Sequence, residues 1–157
     1  MAGTRAAGVS ARSEAIYQEL ILDHYRSPRN RSVLNDADVT ITHRNPLCGD
    51  ELIVYLAMDG TTVREARFTG QGCAISQAAA SMLTGALRGG SVDDARVILA
   101  SYSSMMHGDP ASRDDPTLGE LRALAGVARL PARVKCALLP ADAFSRALDQ
   151  FEERARS

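Results

Sequence analysis

Three cysteines and one aspartate carry the chemistry this chain can offer. Cys48 and Asp50 share the run NPLCGD, residues 45–50, with Gly49 between them. Side chains separated by one residue can point the same way from an extended backbone, so with Gly49 as pivot both can reach one cation. Cys73 ends the run GQGC, and Cys136 lies in VKCALLP. Three thiolates and a carboxylate make a tetrahedral shell for Zn²⁺. The carboxylate is a harder and weaker partner than a fourth thiolate, which suits an exchangeable site.

Spacing alone leaves the sharing of a site open. No CxxC knuckle occurs, and each cysteine taken singly also suits a buried core position. The local settings say more. Each cysteine falls at a junction between expected elements, where strand ends and helix starts converge, and a helix N-terminus stabilises a thiolate. His24, His43 and His107 stand apart from one another and read as packing or surface residues. The pair Met105-Met106 reads as packing, and the charged stretch Asp149 to Arg154 as a solvated helix face.

The elements that must position these groups follow from periodicity. A helix is expected from Ser13 to Pro28, on the stripe formed by Ile16 with Leu20 and Tyr17 with Ile21. VTITH, ELIVYLAMDG and TTVREARFTG read as three strands, the last two joined by an Asp-Gly hairpin turn. After GQG the pattern becomes helical. CAISQAAASMLTGALR stops at Gly89-Gly90, and a helix capped by Ser91 with acidic residues in its first turn comes next. PASRDDP reads as a loop, TLGELRALAG as a short helix stopped by Gly126, and the last segment as helix broken or started at Pro140. Strands first and helices after predict an α+β fold: a three-stranded antiparallel sheet with helices packed on it. Residues 1–12 read as a disordered tail and 13–157 as one domain.

Composition excludes some function classes. The chain has 157 residues, 45% hydrophobic and 24% charged, with a net charge of −1. That balance gives no broad attraction to nucleic acid or anionic lipid, and the absence of Trp argues against a base-stacking platform. No apolar run is long enough to cross a bilayer, and the N-terminal residues lack the apolar core of a secretory signal. A cytoplasmic location is expected, where cysteines stay reduced. Neither a zinc-deaminase pattern nor a phosphate-binding glycine loop is present.

NPLCGD, GQGCAISQAAASML and LPARVKCALLPADAF, in that order, resemble the three signature blocks of the IscU/NifU-type iron–sulfur assembly proteins. The similarity covers roughly residues 13 to 154 and is greater to the SufU branch. SufU-type proteins carry an insertion between the second and third cysteines, and residues 91–121 look like the region that holds it. IscU scaffolds have His just before the last cysteine, where this chain has Lys135, its only lysine. A protonated Lys offers no lone pair to a metal.

The resemblance implies an IscU-like fold and Zn²⁺ held by Cys48, Asp50, Cys73 and Cys136. It implies a sulfurtransferase whose partner is a SufS-type cysteine desulfurase. Cys48 would accept the persulfide sulfur, and Arg133 would steady the thiolate or persulfide. The partner would supply a His that replaces Cys48 on the metal, and sulfur would pass to a downstream Suf scaffold. The alternative is a scaffold that builds an iron–sulfur cluster on the same ligands. A third reading is a structural zinc domain without sulfur chemistry.

Overall fold

A computed structural model of the chain describes residues 11–47 and 49–156. The element order is α1 (Ala11–Arg26), β1 (Val39–Asn45), β2 (Asp50–Asp59), β3 (Thr62–Gln71), α2 (Ala74–Leu87), α3 (Val92–Met106), α4 (Pro110–Arg113), a 3-10 run Pro116–Arg129, and α5 (Pro131–Ala155). The predicted α+β architecture is present. The three strands form one antiparallel sheet in the order β1-β2-β3.

The register places the future site at one end of that sheet. Asn45 pairs with Asp50, and Glu51 pairs with Gln71. The end of β1, the start of β2 and the end of β3 therefore lie side by side. On one face of β2, Leu52, Val54 and Leu56 are fully buried and pack into the helical layer. The other face carries a smaller cluster in which Tyr55 and Ala57 meet Leu34 from the connection before β1. That connection therefore serves as a cover, not as a bare linker.

β3 has its outer edge engaged at two points. Arg31 bridges Phe68, and Ser91 bridges Thr62. Gly70 is the close-approach residue of this strand. Its φ is +121°, and a Cβ there would stand 2.2 Å from the Glu51 carbonyl oxygen, so only glycine lets the two strands meet there.

The helical layer is built around α2, whose small residues Ala78, Ala79 and Ala80 are fully buried. They let neighbouring backbones approach closely, and α1, β3 and α5 all pack on it. α3 starts as the sequence predicts. Ser91 Oγ accepts from the Asp94 N–H at 3.0 Å, and the Asp94 carboxylate accepts from the Ser91 N–H at 3.1 Å, a reciprocal capping box. Met105 and Met106 are buried, as packing residues should be.

Four details depart from the sequence reading. α1 begins at Ala11, so the expected tail gives up its last two positions to helix; residues 1–10 lie outside the described residues. PASRDDP contains the short helix α4, because the Asp109 carboxylate accepts from the Ala111 N–H and Pro110 fits a first helical turn. The next segment neither is an α-helix nor stops at Gly126. Gly119, at φ +52° and ψ −127°, breaks it into two pieces, and beyond that kink the buried Leu121, Leu124 and Val127 recur every third residue, the period of a 3-10 helix. Asp115 caps it by accepting from the Thr117 N–H at 2.9 Å. Finally, Pro140 sits inside α5 without ending it. Proline removes one helical hydrogen bond, but buried Ala137 and Ala141 on either side, with Phe144, Ala147 and Leu148 beyond, hold the helix in place.

Candidate metal centre

Asp50 opens β2, where Asn45 shapes the turn before it. The Asn45 carbonyl accepts from the Gly49 N–H at 3.0 Å, and its side-chain oxygen accepts from the Leu47 N–H at 3.0 Å. Gly49 takes a φ of +72°, the left-handed conformation expected of a pivot. The Asp50 side chain is then buried, 4% exposed. Its Oδ1 accepts from the Cys73 N–H at 3.3 Å, while Oδ2 has no hydrogen-bond partner among the described residues.

Cys73 is the N-cap of α2, with extended φ and ψ and no side-chain cap of its own. Its carbonyl accepts from the Gln77 N–H at 3.1 Å and from the Ser76 hydroxyl at 3.1 Å. The sulfur lies 3.9 Å from Ser76 Oγ, and the residue is half-buried at the helix end that favours negative charge. Cys136 arrives from α5, whose first turn is set by Pro131 and by the Arg133 N–H on the Leu130 carbonyl. It is buried, 1% exposed. The fully buried Tyr102 of α3 donates its hydroxyl to the Ala137 carbonyl at 2.8 Å and so pins α5 next to Cys136. Burial pushes that phenol far above its ordinary pKa, so it stays a donor.

These three side chains come together. A carboxylate oxygen of Asp50 and the sulfurs of Cys73 and Cys136 all lie within 4.8 Å of one another. They come from a strand start, a helix cap and the early turns of another helix. Two sulfurs and one oxygen at such separations suit a tetrahedral cation such as Zn²⁺. The partnerless Oδ2 is a second sign of fit, because a buried carboxylate oxygen without a partner is costly and a bound cation would offset that cost. Cys48, the fourth expected ligand, lies outside the described residues.

Other expected residues fall into place differently. Arg133 is exposed on the first turn of α5, with no ion-pair partner among the described residues. Lys135 is exposed as well. The tail of α5 is more than a solvated face: Asp149 and Glu152 both pair with Arg96 of α3. His24, His43 and His107 take no part in the metal cluster. His24 is a packing residue, and a buried one. Its Nδ1 meets Ser81 Oγ at 2.7 Å, and its Nε2 meets a Glu120 carboxylate oxygen at 2.6 Å. The Arg29 N–H donates to the same Ser81 oxygen at 2.8 Å.

Sequence reasoning passed over Ser76 and Tyr102. Neither carries a local signal, since one acts through a helix turn and the other across two helices. Gly72 was visible only as part of a glycine-rich approach to Cys73.

Residues 16–137 match the family model described as NifU-like N terminal domain. Among curated relatives, the chain is 39% identical to the zinc-dependent sulfurtransferase SufU of Bacillus subtilis, over 91% of this chain and 96% of that protein. It is 33% identical to the iron–sulfur cluster assembly scaffold protein IscU of Streptococcus pyogenes, over 85% of this chain and 82% of that one. The solved structure of a SufU protein from Fervidobacterium islandicum superposes with a TM-score of 0.78 at 31% identity, covering 87% of this chain and 98% of the other. From the ordered cysteine blocks, through the fold, to these likenesses, one conclusion stands: the chain belongs to the NifU-like N-terminal domain family.

Proposed function

We propose that this protein is a zinc-dependent sulfurtransferase of iron–sulfur cluster assembly, taking persulfide sulfur from a SufS-type cysteine desulfurase and relaying it to a downstream scaffold. The observation that carries the reading is the convergence of Asp50, Cys73 and Cys136, with Asp50 Oδ2 buried and partnerless. The likeness to a SufU named as a zinc-dependent sulfurtransferase supports it.

Asp50, Cys73, Cys136 and Cys48 would hold Zn²⁺. A bound Zn²⁺ keeps its cysteine ligands deprotonated at neutral pH and performs no redox step. The chain's own residues then divide the work. Cys48 is the acceptor, because persulfide transfer is attack of a thiolate on a sulfur and depends on access. Its chain neighbour Leu47 is exposed, whereas Cys136 is enclosed. Asp50, Cys73 and Cys136 are the anchors that stay. Arg133, exposed three residues before Cys136, supplies positive charge for the thiolate or persulfide. A centre at a surface junction suits a protein donor, and two surface clefts elsewhere on the molecule share no residue with it. The reading places the protein in the cytoplasm, where thiols remain reduced.

The test is a desulfurase assay with and without the protein, paired with metal analysis of the same sample. Zinc should be present and turnover should rise strongly. Cys48→Ala should abolish the rise; undiminished stimulation would show that another residue accepts the sulfur. The scaffold reading draws on the IscU relatives. It requires a cluster that assembles anaerobically on the protein and moves intact to an apo-target.

A further inference from the structure

Gly72 touches the centre through what it lacks. A Cβ built on it would stand 2.8 Å from Asp50 Cγ, 3.0 Å from Asp50 Oδ2 and 2.4 Å from Ser76 Oγ. Real Cβ atoms do not come this close, so any other residue would have to displace something. The Ser76 hydroxyl is the end of a short side chain and can rotate away. Asp50 has less freedom: its Oδ1 is tied to the Cys73 N–H, and the side chain is 4% exposed. A side chain at position 72 would therefore turn or push the carboxylate out of its place.

We infer that Gly72 is a positioning residue of the metal centre: its bare Cα is the seat that keeps the Asp50 carboxylate in place, with Oδ1 bound to the backbone and Oδ2 left for the cation. This rests on the metal reading above. The division of labour within the carboxylate follows from it. Oδ1 already accepts a protein donor, so Oδ2 is the oxygen more readily given to a metal. The bond from the Cys73 N–H to Asp50 Oδ1 then makes the seat serve two residues, because the donor would itself be a ligand. Ser76 forms the other wall of the seat, its hydroxyl donating to the Cys73 carbonyl at 3.1 Å.

The experiment is a double-mutant cycle read by zinc affinity, in competition with a chromophoric chelator, and by thermal unfolding of the zinc-free proteins. Gly72→Ala should weaken zinc binding by about tenfold to a hundredfold, the size seen for residues that orient ligands. Ser76→Ala added to Gly72→Ala should not restore affinity, because the clash with Asp50 remains. In an Asp50→Ala background, Gly72→Ala should cost nothing further, since the carboxylate it displaces is gone. Losses that multiply independently, or a Gly72→Ala protein that binds zinc like the unsubstituted one, would overturn the inference. If Gly72→Ala alone fails to fold, the protein carrying both Gly72→Ala and Asp50→Ala should fold again; if it does not, the glycine serves the backbone and the inference falls. Should the unsubstituted protein bind no zinc, the metal reading fails. The seat is then still tested by whether Asp50→Ala relieves the destabilisation that Gly72→Ala causes in the zinc-free protein.

Discussion

His24 and Asp50 are both buried polar side chains, 3% and 4% exposed, and they are treated in opposite ways. Both ring nitrogens of His24 are matched, one by Ser81 and one by Glu120. Asp50 has one oxygen matched and the other without a partner. A buried polar group whose atoms are all matched joins elements, here α1, α2 and the 3-10 run. A buried polar group left half-matched carries a cost that the fold itself does not recover. Burial alone thus does not tell His24 from Asp50, whereas the accounting of partners does.

The comparison can be broken at either end. The largest effect should come from removing the metal. Where free Zn²⁺ stands roughly a thousandfold above its dissociation constant, chelation should cost about 4 kcal/mol of stability, read as a fall in unfolding temperature. If the melting curve ignores chelator, Asp50 Oδ2 is not matched by a cation. His24→Ala comes next. It should cost about 2–3 kcal/mol in urea unfolding of the zinc-free protein, because Ser81 and Glu120 lose their shared partner. Zinc affinity should stay where it was, and a parallel loss of affinity would mean that the two regions are coupled.

Asp50→Asn sharpens the contrast by giving two readouts of opposite sign. The amide removes a buried charge, so the zinc-free protein should gain about 1 kcal/mol. Its zinc affinity should fall by about tenfold or more, since an amide is a poor ligand for Zn²⁺. Both changes going the same way would place Asp50 with the structural groups.

The smallest effect concerns His43, a partly exposed residue on β1. Burial, and then the charge of Arg146, hold its pKa below the ordinary 6.5, while Asp142 pulls it upward. The unfolded chain takes up that proton first as pH falls below about 6.5, so it binds more protons and stability drops on acidification through this window. The Asp142 carboxyl is raised by burial, with His43, Arg146 and His107 opposing. There the folded state holds the extra proton, so that contribution declines as pH rises above 3.8. Urea unfolding at about pH 7 and about pH 5.5 reads the first window, and His43→Gln should flatten the slope there.

Much of this architecture was readable in the residues. Asp59-Gly60 marks the hairpin, and Ser91 with Asp94 marks the start of α3, because turns and caps are decided by neighbours in sequence. Cys73 could be placed at a helix start for the same reason. The 3-10 turns beyond Gly119 are also written in the chain, as Leu121, Leu124 and Val127 at every third position. Gly126 suggests a helix stop, but the helical turns continue past it to Arg129. Pro140 could not be settled locally, since what keeps α5 continuous is tertiary packing around Phe144 and Leu148. The joining role of His24 was out of reach, as its partners lie on distant elements. The meeting of Asp50, Cys73 and Cys136 was a matter of resemblance until the register of β1, β2 and β3 brought the strand ends together.

The two bridges on β3 bear on aggregation. An open strand edge is a template on which another chain can add by hydrogen bonding. On β3, Phe68 and Thr62 already engage Arg31 and Ser91. The Phe68 N–H donates to the Asn30 carbonyl at 3.1 Å and the Val63 N–H to the Gly90 carbonyl at 2.8 Å. An incoming strand would find only a short stretch between those points. The segments that flank the sheet in sequence thus guard this edge against a neighbouring copy.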